Sequence, residues 1–137
     1  MLQVRALTKS FRGLTAVRDV SFDVANNEIV ALIGPNGAGK TTCFNMISGA
    51  LRPTAGSVML GGEIIAGLPP EQIAMKGLIR TFQIVRPMRT MTVLENAMIG
   101  AFARTADVSQ AMDTASRSIV RVGLQNKANA LAGSLTL

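Results

Sequence analysis

The spacing of hydrophobic residues changes along this chain, and each spacing predicts a different element. Alternation of apolar and polar positions predicts two half-buried antiparallel strands at the start of the fold, with apolar side chains at Leu2, Val4, Val20, Phe22 and Val24. Residues 28–34, EIVALIG, are almost continuously apolar and predict a fully buried strand of the parallel type. The spacing becomes helical from residue 39 to residue 48, so this strand is expected to lead directly into a helix.

Glycine and proline divide the middle of the chain into short elements. Two apolar runs around Gly61 and Gly62 predict a hairpin, and a short helix is expected to start at Pro70 and end at Gly77. Residues 78–83, LIRTFQ, predict another strand, which a loop around Pro87 follows.

The last third of the chain has helical spacing. Thr92 and Glu95 have the spacing of a capping box, and the apolar residues after them mark one face of a helix. Further helices are predicted over residues 109–122 and, as a short element, over 126–132. The order is therefore a strand-rich first part followed by a helical part.

The composition of the chain limits the number of domains and excludes several kinds of functional site. A chain of 137 residues, 48% of them hydrophobic and 16% charged, fits about one globular domain. The absence of histidine excludes histidine triads and histidine metal sites, and the single cysteine, Cys43, is expected to be a small packed residue. No apolar run is long enough to span a bilayer.

The net charge of +6 raises the question of nucleic acid as a partner. The basic residues are scattered and the chain has no Trp or Tyr to interleave with them, so we expect no nucleic-acid binding. A phosphate-bearing ligand or an acidic partner surface explains the charge equally well.

The most specific chemical motif follows the predicted strand 28–34. Gly34, Gly39, Lys40 and Thr41 match G-x-x-x-x-G-K-[ST], with Gly37 as an additional glycine. Glycines let successive backbone N–H groups turn inward around an anion, and the N-terminus of the following helix attracts phosphate. Lys40 is expected to bind the β and γ phosphates and Thr41 to bind Mg²⁺. The predicted phosphate-binding residues are Gly34, Pro35, Asn36, Gly37, Ala38, Gly39, Lys40, Thr41 and Thr42.

Four segments together resemble the ATP-binding subunits of ABC transporters: FRGLTAVRDVSF, GPNGAGKTT, RTFQ and MTVLENAMIGA. RTFQ followed by MTVLEN is most similar to the branched-chain amino acid importer branch. The resemblance implies an α/β P-loop NTPase fold of the ABC ATPase type, with an antiparallel β-subdomain, a partial parallel core sheet and a helical subdomain. It implies a nucleotide-binding core with the β-subdomain over residues 1–83 and the start of the helical subdomain over 84–137.

The resemblance also assigns roles to single residues. Phe11 matches the aromatic residue that stacks on adenine, where many relatives have Tyr. Gln83 matches the glutamine that senses Mg²⁺ and the γ phosphate, so that Lys40 and Gln83 are the expected catalytic residues, and Thr41 and Gln83 the expected metal ligands. The region of Met88 and Met91, with the helix after Thr92, resembles the part that contacts the permease.

Cofactors and partners follow from the family in the same way. The resemblance implies ATP and Mg²⁺ as cofactors, a second ATPase subunit in a homo- or heterodimer, and membrane permease subunits. A solute-binding protein would act indirectly, and the subunit would lie peripherally on the cytoplasmic face of the membrane.

The groups that complete hydrolysis are not found in the sequence. None of the eight acidic residues ends an apolar strand, as the metal-binding and catalytic carboxylates of the family do. Residues 131–137, LAGSLTL, resemble the approach to the family's signature motif, beyond which Walker B and the switch histidine would follow. The sequence is therefore interpreted as the truncated, N-terminal part of one ATPase domain, inactive in hydrolysis by itself. Two alternatives remain open. The chain could be a non-catalytic nucleotide-binding or regulatory module, or it could belong to an ABC ATPase for another cargo, such as one for lipopolysaccharide export.

Overall fold

The computed structural model describes residues 1–84 and 86–135, which belong to two compact units, Met1–Arg80 and Thr81–Leu137. The elements of the first unit are β1 Leu2–Phe11, β2 Leu14–Val24, α1 Lys40–Ile47, β3 Ala55–Leu60, β4 Glu63–Ile64 and α2 Pro70–Met75. The elements of the second unit are the helices α3 Val93–Ala101 and α4 Val108–Arg121 and two 3-10 turns, Gln125–Lys127 and Ala132–Ser134. No helix within the described residues is long and apolar enough to cross a membrane.

The first unit is built on an antiparallel sheet with the strand order β2-β1-β3-β4. Val4 of β1 lies opposite Phe22 of β2 and Val58 of β3, so β1 is hydrogen-bonded along both edges. The alternating pattern at the start of the chain therefore predicted the first two strands correctly, and the Gly61–Gly62 turn joins β3 to β4 as expected.

One hydrophobic core lies against this sheet. Val4, Leu7 and Val58 are fully buried and belong to one core cluster with residues of α1 and α2. Val4 and Leu7 are three positions apart, and the irregularity of β1 between them allows both side chains to join this core. Val17 of β2 is a further buried member, and the helices and the segment between them contribute Cys43, Met46, Ile47, Ile65 and Ile73. The helix α2 begins at Pro70, where the missing N–H costs no hydrogen bond.

The predicted buried strand over residues 28–34 is wrong. These residues form no strand, and Ile29 and Ile33 are 98% and 90% exposed. A strand that is apolar on both faces needs partners along its edges and cover on its faces. The described residues contain no parallel pairing, so the expected parallel core sheet is not formed in this structure.

Two further sequence predictions need correction. Residues 78–83 are irregular instead of a strand, and most of their side chains are exposed. The short helix predicted over 126–132 is replaced by the two 3-10 turns, since Ala130 and Ala132 bond backward to Lys127 and Met91. The bond from Ala132 joins it to Met91, which is distant in sequence and which local spacing does not specify.

The second unit is a helix pair whose first helix has a strong N-terminus. The Thr92 hydroxyl accepts from the Glu95 N–H at 3.1 Å, and the Glu95 carboxylate accepts from the Thr92 N–H at 2.7 Å, which confirms the capping box. These bonds from the Thr92 backbone and hydroxyl lower the pKa of Glu95. The helix α4 packs against α3 through Ala111, Ala115 and Ile119, which recur every four residues on one face.

We predict that Leu7→Ala lowers the free energy of unfolding by about 3 kcal/mol, because it leaves a cavity in the core of the first unit. Leu14→Ala is the matched control, since Leu14 is 71% exposed, and its expected cost is below about 0.5 kcal/mol. Urea titration of the full chain measures both values. Equal losses in the two variants would contradict the proposed position of the core.

We predict that Thr92→Ala destabilises α3 by about 1 kcal/mol at neutral pH and that Thr92→Ser restores most of the loss. Because folding lowers the pKa of Glu95, its contribution is complete above the ordinary glutamate value of 4.5 and is lost as the pH falls below that value. Thr92→Ala keeps the backbone N–H but loses the hydroxyl that donates to the Glu95 carboxylate at 2.9 Å, so the part of the stability difference that this bond contributes should shrink in acid. Denaturation of both proteins at neutral and acidic pH measures this, and a difference that grows in acid would contradict the assignment.

Candidate functional site

The glycine-rich segment of residues 34–41, called here the phosphate loop, leads into α1 through two left-handed backbone positions. Gly37 has φ 84° and Gly39 has φ 83°, a conformation that side chains with a β-carbon disfavour. The Ala38 N–H donates to the Pro35 carbonyl at 3.3 Å, and the Cys43 N–H donates to the Gly39 carbonyl at 2.8 Å. The loop is therefore a closed turn that ends at the first residue of a helix.

The two central glycines have different reasons for being glycine. A β-carbon at Gly39 would lie 2.4 Å from the Ala16 carbonyl oxygen and 3.0 Å from the Val17 side chain. A β-carbon at Gly37 would meet no atom within 4 Å. Gly39 thus allows the phosphate loop to lie directly against β2, whereas Gly37 provides only the backbone conformation.

The N-terminus of α1 is open to an anion. No side chain caps this helix and no acidic residue occupies its first turn, within the part of the chain that the structure describes. The first backbone N–H groups of a helix lack intrahelical acceptors, and the helix dipole places partial positive charge there. An anion at this end would meet unpaired donors without a competing carboxylate.

The lysine of the motif is held at the loop. The Lys40 Nζ donates to the carbonyls of Gly34 and Pro35, each at 2.6 Å. This contact closes the loop upon itself and keeps the ammonium group beside the backbone that would surround a phosphate. A bound phosphate would take these hydrogen bonds, which the flexible stem of a lysine permits.

Two threonines follow the lysine on the first turn of α1. The Thr41 side chain is exposed and Thr42 is half-buried, so that the Thr41 hydroxyl is accessible to a metal ion. Among the described residues, no group of three or more His, Cys, Asp or Glu side chains could hold a metal. The Thr41 hydroxyl is a hard oxygen ligand of the kind that Mg²⁺ accepts, so its chemistry fits this ion.

A cavity of about 240 Å³ lies beside the phosphate loop. Its walls combine two cationic side chains, Lys40 and Arg18, with apolar ones from β2 and the segment before the loop. The other lining residues are Ala16, Val17, Val20, Leu32, Ile33, Ala38, Gly39 and Cys43. The two cationic side chains favour an anionic group at this edge of the loop.

Phe11 lies at the end of β1 and is 44% exposed. The Lys9 ammonium group lies 5.1 Å from the centre of its ring and also donates to the Arg52 carbonyl at 2.7 Å. Lys9 is not among the site residues predicted from the sequence. Its place beside Phe11 could be predicted from the spacing of the two residues, because residues two apart on a strand point to the same face. One face of the Phe11 ring is therefore in contact with a cation.

Gln83 belongs to the second unit, and its side chain is exposed. The structure thus groups residues 34–42 in one loop and helix turn, and it describes Gln83 in a separate unit. The predicted roles of Gln83 in catalysis and metal binding stay predictions.

Six of the eight acidic residues make structural contacts. Asp23 pairs with Arg5, which lowers the pKa of that carboxyl, and Glu63 pairs with Lys76, with the same effect on its pKa. Three others accept from a backbone N–H, namely Glu28, Glu95 and Asp107. Asp113 pairs with Arg117. These six carboxylates therefore take part in local structural contacts.

Cys43 is a packed residue of α1. It is 2% exposed, and burial raises the pKa of its thiol. A neutral, buried thiol is unreactive, so its side chain contributes to the core as the sequence predicted.

Comparison with known proteins agrees with the motif. The ABC transporter family model matches residues 17–135, which include the whole phosphate loop. The chain is 42% identical to LivG, a high-affinity branched-chain amino acid transport ATP-binding protein of Salmonella typhimurium, covering 98% of this chain and 59% of LivG. It is 41% identical to BraF of Pseudomonas aeruginosa, which has the same description, over the same shares of the two chains.

The fold matches as well. A nucleotide-free ATP-binding cassette of an ABC transporter superposes with a TM-score of 0.82 at 28% identity, covering 98% of this chain and 58% of the cassette. The ADP conformation of such a cassette gives a TM-score of 0.83 at 28% identity over the same shares. The α/β fold of the ABC ATPase type is therefore confirmed, although the chain spans only about 59% of the length of LivG and BraF. The family model matches most of this chain, and the chain is 42% identical to LivG along nearly its whole length. This chain therefore belongs to the ABC transporter family.

Proposed function

We propose that this chain is the nucleotide-binding part of an ABC transporter ATPase subunit that serves the import of branched-chain amino acids. The observation that supports it most directly is the phosphate loop, where Lys40 lies beside the turn and the N-terminus of α1 is uncapped. In domain terms, residues 1–83 form the nucleotide-binding core and 84–137 the start of the helical subdomain.

ATP is the proposed ligand, and each loop residue has a role in holding it. The backbone of Gly34, Pro35, Asn36, Gly37, Ala38 and Gly39 surrounds the phosphates. The Lys40 ammonium group binds the β and γ phosphates, Thr41 binds Mg²⁺ and Thr42 reaches toward the α phosphate. Mg²⁺, when bound with ATP, neutralises charge on the phosphates and orients them. Phe11 stacks on the adenine with the ring face that Lys9 leaves open.

Hydrolysis is proposed for the whole subunit. Gln83 is the proposed residue that senses Mg²⁺ and the γ phosphate, while Lys40 stabilises the charge on the transferring phosphoryl group. The described residues provide the phosphate loop, so we expect the chain to bind ATP.

The cargo and partners are proposed from the relatives. LivG and BraF are named as transport ATP-binding proteins for branched-chain amino acids, and residues 78–98 contain the RTFQ and MTVLEN segments that favoured this branch. We propose a dimer of ATPase subunits beneath membrane permease subunits, on the cytoplasmic face of the membrane, with a solute-binding protein acting indirectly.

A second candidate keeps the ATPase and changes the cargo. The chain is also 36% identical, over its whole length, to RbsA of Rhodococcus jostii, a ribose import ATP-binding protein. The higher identity to LivG favours amino acids. Uptake assays in a strain that lacks its LivG-type ATPase, complemented with the gene in its full genomic reading frame, would separate the two cargoes by which radiolabelled solute enters.

We predict that Lys40→Ala weakens ATP binding about tenfold to a hundredfold, the equivalent of one hydrogen bond to a charged group. Isothermal titration of the purified chain with Mg·ATP measures the affinity. Lys127→Ala is the matched control, because it removes the same charge from an exposed position in the second unit.

Unchanged affinity in Lys40→Ala would show that the phosphate loop is not the binding site. A loss of affinity in Lys127→Ala of the same size would show that net charge, and not the loop, controls binding.

We predict that Gly39→Ala and Gly37→Ala differ, although both residues have positive φ. Gly37→Ala should cost about 1–2 kcal/mol in backbone strain and retain ATP binding in part. Gly39→Ala adds a collision with the Ala16 carbonyl, so we expect it to abolish detectable binding and to lower stability further. Titration with ATP and thermal unfolding of both variants measure this, and equal behaviour of the two would contradict the role of the contact between the loop and β2.

A further inference from the structure

The C-terminal end of α1 is a place where a cation is favourable, and the helix itself has none there. The carbonyl end of a helix has partial negative charge, which basic residues in the last turn normally offset. The last turn of α1 contains no basic residue. The phosphate loop occupies the other end of this helix, so the position of α1 decides where the loop donors lie.

Arg80 supplies the missing cation. Its guanidinium Nη1 donates to the Asn45 side-chain oxygen and, at 3.4 Å, to the Ser48 hydroxyl. Ser48 in turn donates to the Phe44 carbonyl at 2.8 Å, so its hydroxyl joins the guanidinium to the end of the helix. All three side chains are half-buried, which reduces solvent screening of these hydrogen bonds.

The residues that Arg80 contacts share a helix face with Thr41. Positions 41, 45 and 48 are related by steps of four and three, so they lie along one side of α1. Thr41, the proposed Mg²⁺ ligand, is therefore one turn from the arginine contact. Gln83, the other proposed Mg²⁺ ligand, follows Arg80 by three residues in the chain.

We infer that Arg80 is a positioning residue for the nucleotide-bound Mg²⁺ site. It fixes the face of α1 that presents Thr41, through its contacts with Asn45 and Ser48. The inference rests on the proposed function, because it concerns the metal that accompanies ATP. Arg80 itself touches neither ATP nor Mg²⁺ in this proposal.

The test compares ATP affinity with Mg²⁺ and with EDTA, in wild type, Arg80→Ala, Arg80→Lys and Asn45→Ala. The ratio of the two affinities isolates the contribution of the metal. Arg80→Ala should reduce this ratio about fivefold to tenfold, a loss typical of one charged hydrogen bond, and leave the affinity in EDTA within about twofold. Arg52→Ala is the matched control, since it removes an exposed arginine of the same unit and should leave the ratio unchanged.

The other variants separate the contact from general damage. Arg80→Lys keeps the charge at the helix end but loses the planar fork, so we expect a smaller loss than in Arg80→Ala. Asn45→Ala removes the oxygen that accepts from Arg80, so it should reduce the affinity ratio as Arg80→Ala does. The double variant of both substitutions should reduce the ratio no further than either substitution alone.

Hydrogen exchange provides a readout that needs no nucleotide. In Arg80→Ala the amides of residues 44–48 should exchange faster than in wild type, and those of α3 should not change. The exchange measurement applies even if the chain fails to bind ATP. Failure to bind ATP would refute the proposed function, whereas the anchoring of α1 by Arg80 would still be tested by exchange.

Several results would overturn the inference. A wild-type chain that binds Mg·ATP, with the same ratio of affinities in Arg80→Ala, would show that Arg80 does not position the metal site. Equal losses with Mg²⁺ and with EDTA would indicate a general effect on the loop, and unchanged exchange in α1 would exclude the anchor. If Arg80→Ala does not fold, the same affinity ratio and the same exchange measurement on Asn45→Ala test the inference.

Discussion

The phosphate loop depends on one close contact between backbones. Gly39 lies so near the Ala16 carbonyl that a β-carbon would stand 2.4 Å from the oxygen. This contact sets the loop and the start of α1 directly on β2, whose position the sheet and its core determine. A rigid scaffold beneath a loop is what allows backbone donors to be held ready for an anion, because their orientation is fixed before the ligand arrives.

The helix α1 then has separate tasks at its two ends. Its N-terminus remains free of side-chain caps and acids, which leaves donors and partial positive charge for phosphate. Its middle is anchored in the core by Cys43 and Met46, and its C-terminal end is held by Arg80 through Asn45 and Ser48. A helix that leaves one end unsatisfied for a ligand gains from being fixed elsewhere, since the hydrogen bonds it lacks must be compensated by packing and by contacts at the other end.

Charge is distributed between ligand binding and structure in a simple way. The acids that pair with Arg5, Lys76 and Arg117 connect strands, loops and helix turns, and Glu95 and Asp107 cap the two helices of the second unit. Lys40, in contrast, donates to the backbone carbonyls of Gly34 and Pro35, and among the described residues no ion pair joins it to a carboxylate. This division suits a proposed site whose ligand is a polyanion.

The sequence by itself determined the features that depend on a few neighbouring residues. The spacing of Gly34, Gly39 and Lys40 placed the phosphate loop, Thr92 and Glu95 defined the start of α3, and Pro70 marked the start of α2. These interactions span at most six residues, so the residue types and their spacing are sufficient to specify them.

Tertiary structure decided the features that join distant parts of the chain. The apolar pattern of residues 28–34 indicated a buried strand, but burial requires a partner strand, which local sequence cannot supply and the described residues do not provide. The contact of Arg80 with Asn45, 35 positions away, left no local signal, and neither did the approach of Gly39 to Ala16. Local hydrogen bonding and backbone preference are encoded in short stretches, whereas pairing and close packing depend on which distant residues the fold brings together.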